Sequence, residues 1–301
     1  MTTAMTTAER RGYQQICGDN GLMMVVAADQ RGGMRKVLAD TPEAQAAIDE
    51  PTLGVVKSAI VRHLANKASC ILLDPVCAVP AVVDDGTLAR DTGLLVGLDA
   101  SGWDTDAQGY RISKLVPGIT ARRVRELGGT GAKLMVYLRP DTPEANDTNI
   151  AIIRDCIADF AAEDLLLVVE ILTYQLEGES DDAYRAAFPG LIVESARISV
   201  DHGAKVLKLP YPGTAEACAE ITAICGDIPW AVLSAGVDHE TFIGQVETAM
   251  DNGASGVIAG RALWKDCISL DAEVRADRLE RIASDRLRQI QTVLDRHAAA
   301  G

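Results

Sequence analysis

The stretch Gly203-Ala204-Lys205-Val206-Leu207-Lys208-Leu209-Pro210-Tyr211-Pro212-Gly213 joins two helical patterns through a short aliphatic run. Glycine and proline bound an aliphatic and β-branched core, which is a strand signal, and Lys208 interrupts that core. In a parallel sheet covered on both faces, a strand reads as nearly continuous aliphatics. A lysine inside it either lays its stem along apolar surface and carries the amine to the strand end, or takes part in chemistry. Helical patterns flank the run at residues 190–202 and 214–225, so the unit reads helix, strand, helix.

Outward from this unit the alternation repeats. Strand signals fall at residues 22–28, 69–73, 93–98, 132–138, 165–171, 204–209, 230–237 and 256–261, and a helical pattern follows each. Eight strand–helix repeats predict an α/β chain folded as a (β/α)8 TIM barrel. A doubly wound open sheet is the alternative, and it requires a reversal of strand order. A long polar loop is expected from Asp99 to about Lys114, and another from the strand at 165–171 to Phe188. The stretch Asp271 to Ala299 reads as one amphipathic helix, with Leu279, Ile282, Ile290 and Leu294 on one side. That side suits packing or an oligomer contact, and a homo-oligomer is expected. The whole chain, 1–301, reads as one barrel domain with a short N-terminal extension and this C-terminal helix.

Of the 301 residues 48% are hydrophobic, but only three are Trp and three Phe, so Ala, Val, Leu and Ile must build the core. A formal net charge of −14 argues against nucleic acid, which needs a basic face. An anionic substrate must therefore be held by a local cluster of cationic and backbone donors. Seven cysteines are scattered with no Cys-x-x-Cys, which fits reduced thiols and neither a disulfide framework nor a zinc ribbon. No apolar run approaches the ~18 residues of a membrane span, and the first residues lack a signal-peptide core. A cytoplasmic protein without a membrane partner is expected.

In a barrel of this kind the active site lies at the C-terminal ends of the strands. Asp29, Asp74, Asp99, Arg139, Glu170, Lys208, Ser234 and Arg261 all fall at or just after such ends. Lys133 lies earlier in its strand and shares a face with Met135 and Tyr137. Two strand lysines beside strand-end carboxylates suggest covalent amine catalysis, because a nucleophilic lysine must be neutral and a neighbouring cation helps to make it so. Lys133 is the candidate neighbour of Lys208. Glu170 can shuttle protons, and Asp29 can take a hydroxyl proton during carbon–carbon cleavage. The bland reading of Asp29 and Glu170 is a helix cap, or an ion pair with Arg31 or Lys133.

Glycine turns after the seventh and eighth strands, Ser234-Ala235-Gly236-Val237 and Gly256 to Arg261, match the usual phosphate site of barrels, with Arg261 adding a forked donor. Gly128 to Lys133 lacks P-loop spacing and a Ser or Thr after the lysine, and reads as a turn. His63, His202, His239 and His297 are not at ligand spacing, so no metal and no cofactor is expected.

Seven segments in order resemble the class I aldolases of the tagatose-bisphosphate aldolase and sulfofructosephosphate aldolase group. They are Ala27 to Arg31, Ile71 to Pro75, Ala132 to Leu134, Val168 to Glu170, Val206 to Lys208, Leu233 to Val237 and Gly260 to Trp264. The resemblance implies a metal-independent barrel aldolase in which Lys208 forms a Schiff base with the ketose C2. Asp29, Lys133 and Glu170 handle protons, Gln30 and Arg31 bind substrate, and Ser234, Gly236, Gly260 and Arg261 hold the 1-phosphate. Ile71 to Pro75 and Thr92 to Leu95 resemble the tagatose type, whereas Tyr137 to Asp141 resembles the sulfofructose type. That second likeness makes Arg139 the expected reader of the distal sulfonate or 6-phosphate, unless it pairs with Asp141. Leu209-Pro210 stands where the group usually shows Val-Glu. The expected reaction is cleavage of a sugar phosphate or sulfosugar phosphate to dihydroxyacetone phosphate and a three-carbon aldehyde. A phosphosugar isomerase or epimerase without a covalent lysine, and a non-catalytic sugar-phosphate sensor, are the rival readings.

Overall fold

In the computed structural model, which describes residues 4–300, ten strands follow one another along the chain: β1 (Met23–Ala28), β2 (Cys70–Leu73), β3 (Gly93–Gly97), β4 (Asp99–Thr105), β5 (Arg111–Leu115), β6 (Gly131–Tyr137), β7 (Leu166–Leu172), β8 (Leu207–Pro210), β9 (Trp230–Leu233) and β10 (Gly256–Ala259). Eight of them close a parallel barrel in the order β1-β2-β3-β6-β7-β8-β9-β10, and β10 pairs back onto β1. This is the (β/α)8 barrel that the alternation of strand and helix patterns predicts. Period-2 alternation divides the apolar residues into two cores. Met23, Val25, Ala27, Cys70, Leu72, Leu95, Leu166, Val168, Val206, Ala231 and Ile258 fill the inside of the barrel. Met24, Val26, Ile71, Leu134, Val169 and Leu207 point outward under the helices.

The N-terminal helix Thr7–Ile16 closes the bottom of the barrel, with Ile16 joining the interior core. Its cap is Thr6, which forms a reciprocal capping box with Glu9. Glu9 also binds Lys205 Nζ at 2.5 and 2.7 Å. Lys205 thus belongs to the floor, at the opposite end of β8 from the strand-end residues.

Three segments depart from the sequence reading. The expected polar loop from Asp99 to Lys114 is an antiparallel hairpin of β4 and β5 standing on the barrel's upper rim. β4 is largely exposed and carries no apolar alternation, so it looks like loop. The helix expected at 190–202 spans Asp181–Asp201, starts at the Ser180 cap and runs through Pro189. The C-terminal stretch is broken by a π-helical segment, Leu279–Ala283, between Ala272–Arg278 and Ser284–Ala300. A π turn takes in an extra residue, which brings Ala283 to the buried side and leaves Ile282 42% exposed. Leu279, Ile290 and Leu294 are buried against the chain's own helices, as the amphipathic pattern requires.

All seven cysteines are free. Among the described residues no helix is long and apolar enough to cross a membrane.

Candidate active site

On four of the strands the interior face, followed past its last apolar residue, arrives at a polar one. On β1 the inward series Met23, Val25, Ala27 continues to Asp29; on β3 Leu95 and Gly97 lead to Asp99; on β7 Leu166 and Val168 lead to Glu170; on β8 Val206 leads to Lys208. Lys133 takes the corresponding inward place on β6, next to β7. Gly97 keeps the approach open, since a Cβ there would lie 3.4 Å from that of Asp29.

These side chains meet in one buried cluster. Lys133 Nζ contacts Asp29 Oδ2 at 2.8 Å and Glu170 Oε2 at 3.2 Å, and it also donates to Asp99 Oδ1. Lys208 Nζ donates to the same Glu170 Oε2 at 2.9 Å. Lys133 is 1% exposed and Lys208 4%, so neither amine is carried out to solvent. The pairing of Lys133 with Asp29 that the bland reading foresees is real, but it is one link in a network of five groups.

Burial opposes charge on Lys133, yet Asp29, Asp99 and Glu170 outweigh it and hold the ammonium well above its ordinary pKa. Burial likewise pushes the Asp29 carboxyl up, and Lys133, Lys208 and Lys57 overcome it to hold Asp29 well below the carboxylate range. Asp99 goes the other way. Its burial, reinforced by the charges of Asp29 and Glu170, outweighs Lys133 and raises its pKa. Three carboxylates thus face two amines in one buried network.

Above this cluster the turns after β9 and β10 lie side by side. Ser234 is buried, Ala235 and Gly236 take positive φ angles of 45° and 88°, and a Cβ on Gly236 would meet the Arg261 guanidinium at 3.1 Å. Glycine therefore gives Arg261 its position over the turn. Lys265 Nζ donates to the Gly236 carbonyl at 2.8 Å and holds the turn from below. The Gln30 amide reaches Gly260, where a Cβ would stand 3.7 Å from Nε2. Asp29 Oδ1, Gln30 Oε1 and Arg31 Nη1 are buried without a hydrogen-bond partner. Buried polar atoms are normally paired, so three consecutive orphans facing one mouth suit a polar ligand. Arg31 also donates to the Asp99 carbonyl at 3.2 Å and lies 3.7 Å from Asp74, which is itself paired with the buried Lys57.

Arg139 departs from its expected role. Its guanidinium donates to Asp141 at 2.9 and 2.7 Å, to Glu179 at 2.7 and 3.1 Å, and to the Tyr174 carbonyl at 2.7 Å. All five N–H groups are engaged, so no donor is left to read a distal anion, and the pairing with Asp141 prevails. Asp99 stands at a strand end in the sequence with no sign of its role, and strand parity does not reveal Arg111, Asn149 or the aromatic residues of the rim. The short Asp106-to-Tyr110 turn containing Gly109 was the available signal, since such a turn between short runs marks a hairpin.

Among the described residues no group of three or more His, Cys, Asp or Glu is arranged to hold a metal ion.

Comparison with known proteins bears on this geometry. A family model described as DeoC/LacD family aldolase matches residues 23–266. The chain is 25% identical to a tagatose 1,6-diphosphate aldolase 2 of Streptococcus agalactiae serotype III, over 98% of each chain. It is 28% identical to a tagatose 1,6-diphosphate aldolase of Listeria innocua serovar 6a, over 88% of this chain and 84% of the relative. Among solved structures, an archaeal fructose-1,6-bisphosphate aldolase, with its catalytic lysine covalently bound to a carbinolamine intermediate, superposes with a TM-score of 0.61. That likeness has 17% identity, covers 94% of this chain and 98% of the other, and concerns the fold.

Proposed function

The chain belongs to the DeoC/LacD family of aldolases, carbon–carbon lyases, and on that premise we propose that it cleaves a ketose 1-phosphate through a Schiff base on Lys208. The observation that carries this reading is the shared carboxylate oxygen. Glu170 Oε2 accepts from Lys208 at 2.9 Å and stands 3.2 Å from Lys133, so the attacking amine has a proton acceptor in contact and a fixed cation beside it.

Lys208 passes its proton to Glu170 and adds to the ketose C2 carbonyl. Glu170 then returns a proton to the carbinolamine hydroxyl, which leaves as water. The resulting iminium draws electrons from the C3–C4 bond as Asp29 takes the C4 hydroxyl proton. The first product is a three-carbon aldehyde, and hydrolysis of the protonated enamine gives dihydroxyacetone phosphate. Lys133, held cationic by three carboxylates, offsets their charge and keeps Asp29 ionised as a base. Ser234, Gly236, Gly260 and Arg261, with Gln30 and Arg31 at the near wall, hold the 1-phosphate.

The names of the relatives favour tagatose 1,6-bisphosphate, giving glyceraldehyde 3-phosphate. 6-Deoxy-6-sulfofructose 1-phosphate, giving sulfolactaldehyde, is the second candidate, on the likeness at Tyr137 to Asp141. Borohydride reduction in the presence of dihydroxyacetone phosphate, followed by peptide mass mapping, tests the mechanism. The expected result is one adduct, on Lys208; an active protein whose Lys208 stays unlabelled overturns it.

A further inference from the structure

Arg111 lies on β5, and three aromatic rings surround its guanidinium: Trp103 at 3.8 Å, Tyr174 at 4.8 Å and Tyr137 at 5.2 Å from the ring centroids. The rings pack edge to face, Trp103 on Tyr137 at 5.8 Å and Tyr137 on Tyr174 at 5.9 Å, so the cage is built from mutually supporting walls. The main chain is fixed as well. Arg111 N–H donates to the Tyr174 hydroxyl at 3.2 Å, and the Arg111 carbonyl accepts from Asn149 at 2.7 Å.

The contrast with Arg139 is chemical. Asp141 and Glu179 neutralise Arg139, whereas among the described residues no carboxylate lies within ion-pair distance of Arg111. Aromatic faces hold a cation without cancelling its charge. In a chain of net charge −14 such a cation is free to meet an anion.

Its place fits the far end of a substrate attached to Lys208. Tyr137 stands four residues beyond Lys133 on β6, roughly 13 Å up the strand at about 3.3 Å per residue. Burial raises the Tyr137 phenol, Arg111 opposes that rise, and Asp99 and Glu170 add to it. Tyr137 therefore feels both the caged cation and the catalytic carboxylates. A cavity of about 710 Å3 opens beside the cage, lined by Trp103, Tyr110, Arg111, Tyr174 and Gln175, with Glu177 as its one acidic side chain among the described residues.

We propose that the caged Arg111 guanidinium binds the tetrahedral oxyanion, a phosphate monoester or a sulfonate, at the end of the substrate remote from Lys208. Arg139 is then a positioning residue that fixes the Tyr174 wall through its main-chain carbonyl. The proposal rests on the aldolase reading above, and two measurements separate their failures.

The first is kinetic. Arg111→Gln is expected to lower kcat/KM for tagatose 1,6-bisphosphate by about 10–100-fold, the loss of a charge-assisted hydrogen-bonded pair. The loss should be at least tenfold smaller for tagatose 1-phosphate, which has no distal anion. Arg111→Lys should recover part of it, since the charge survives and the fork does not. The same comparison with 6-deoxy-6-sulfofructose 1-phosphate tells a sulfonate site from a phosphate site. Equal losses on the substrates with and without a distal anion, or no loss on any, overturn the proposal.

The second needs no turnover. Trp103 touches the guanidinium and is 45% exposed, while Trp230 and Trp264 are buried. Inorganic phosphate or methanesulfonate should change the emission of the native protein saturably, with no such change in Arg111→Gln. An anion response that persists in Arg111→Gln overturns the site. If dihydroxyacetone phosphate leaves no borohydride adduct on Lys208, the aldolase reading fails, and the emission titration still decides Arg111.

Discussion

Lys133 shows how much a single side chain can be asked to hold. Among the described residues it is the only amine in contact with Asp29 and Asp99, and it shares Glu170 with Lys208. Removing one partner from a buried ion cluster costs about 3–5 kcal/mol, because the remaining charges lose their counter-ion in a dry site. Lys133→Met is therefore expected to lower the unfolding free energy by about that amount in urea titrations. It should also lower kcat by roughly 100- to 10,000-fold, the range of a lost acid–base group. A variant that retains both native stability and native kcat would show that the lysine is only a spectator. The cluster was legible in the sequence because each member follows the inward parity of its strand: Ala27 to Asp29, Val168 to Glu170, Val206 to Lys208. Parity carries no information about saturation. Nothing in Arg139-Pro140-Asp141 reveals that Glu179, forty residues along the chain, supplies the second clamp that takes Arg139 out of play.

At the scale of the element, the β4–β5 hairpin ties the buried ion cluster to the rim. Asp99 at its base reaches Lys133, Ser113 accepts the Tyr137 N–H at 3.0 Å, and the buried Asn149 bridges both elements. Asn149 Oδ1 accepts from Ser113 N–H at 2.9 Å, and its amide donates to the carbonyls of Arg111 and Tyr137 at 2.7 and 2.8 Å. Asn149→Ala leaves those main-chain groups without their partner, a cost of about 1–3 kcal/mol for each group that water cannot reach. Faster amide exchange across residues 99–115 is expected, with the barrel strands still protected. Unchanged exchange in the hairpin would mean that β4 and β5 hold their place without this bridge. This element was not legible. The exposed face of β4 removes the alternation by which strands are recognised, and the anchors of the hairpin lie away in sequence, Lys133 and Tyr137 on β6 and Asn149 on the helix Asp147–Ala162. The barrel strands suffered no such loss, since burial on both sides leaves them as plain aliphatic runs.

At the scale of the whole molecule, the two ends of the chain finish the barrel at separate places. The N-terminal helix seals the floor through Ile16 and the Glu9–Lys205 pair. The C-terminal helix lies along the flank, where its buried Leu287, Ile290, Val293 and Leu294 extend the outer core. His297 ties that helix to the helix His239–Asp251, with Nδ1 2.8 Å from the Val293 carbonyl and Nε2 2.9 Å from Asp251 Oδ1. Both neighbours are acceptors, which favours the doubly protonated ring. The Val293 carbonyl first and then Asp251 raise its pKa above the ordinary value of 6.5. A raised folded-state pKa means that the native state binds the proton more tightly than the unfolded chain. The stabilisation from this pair is therefore fully present below about pH 6.5, and is lost as the pH rises through the folded-state value. Calorimetric Tm values should fall over that interval in the native protein and fall less in His297→Gln, with the difference vanishing once both imidazoles are neutral. A His297→Gln variant that follows the native pH dependence throughout would assign the fall to other groups.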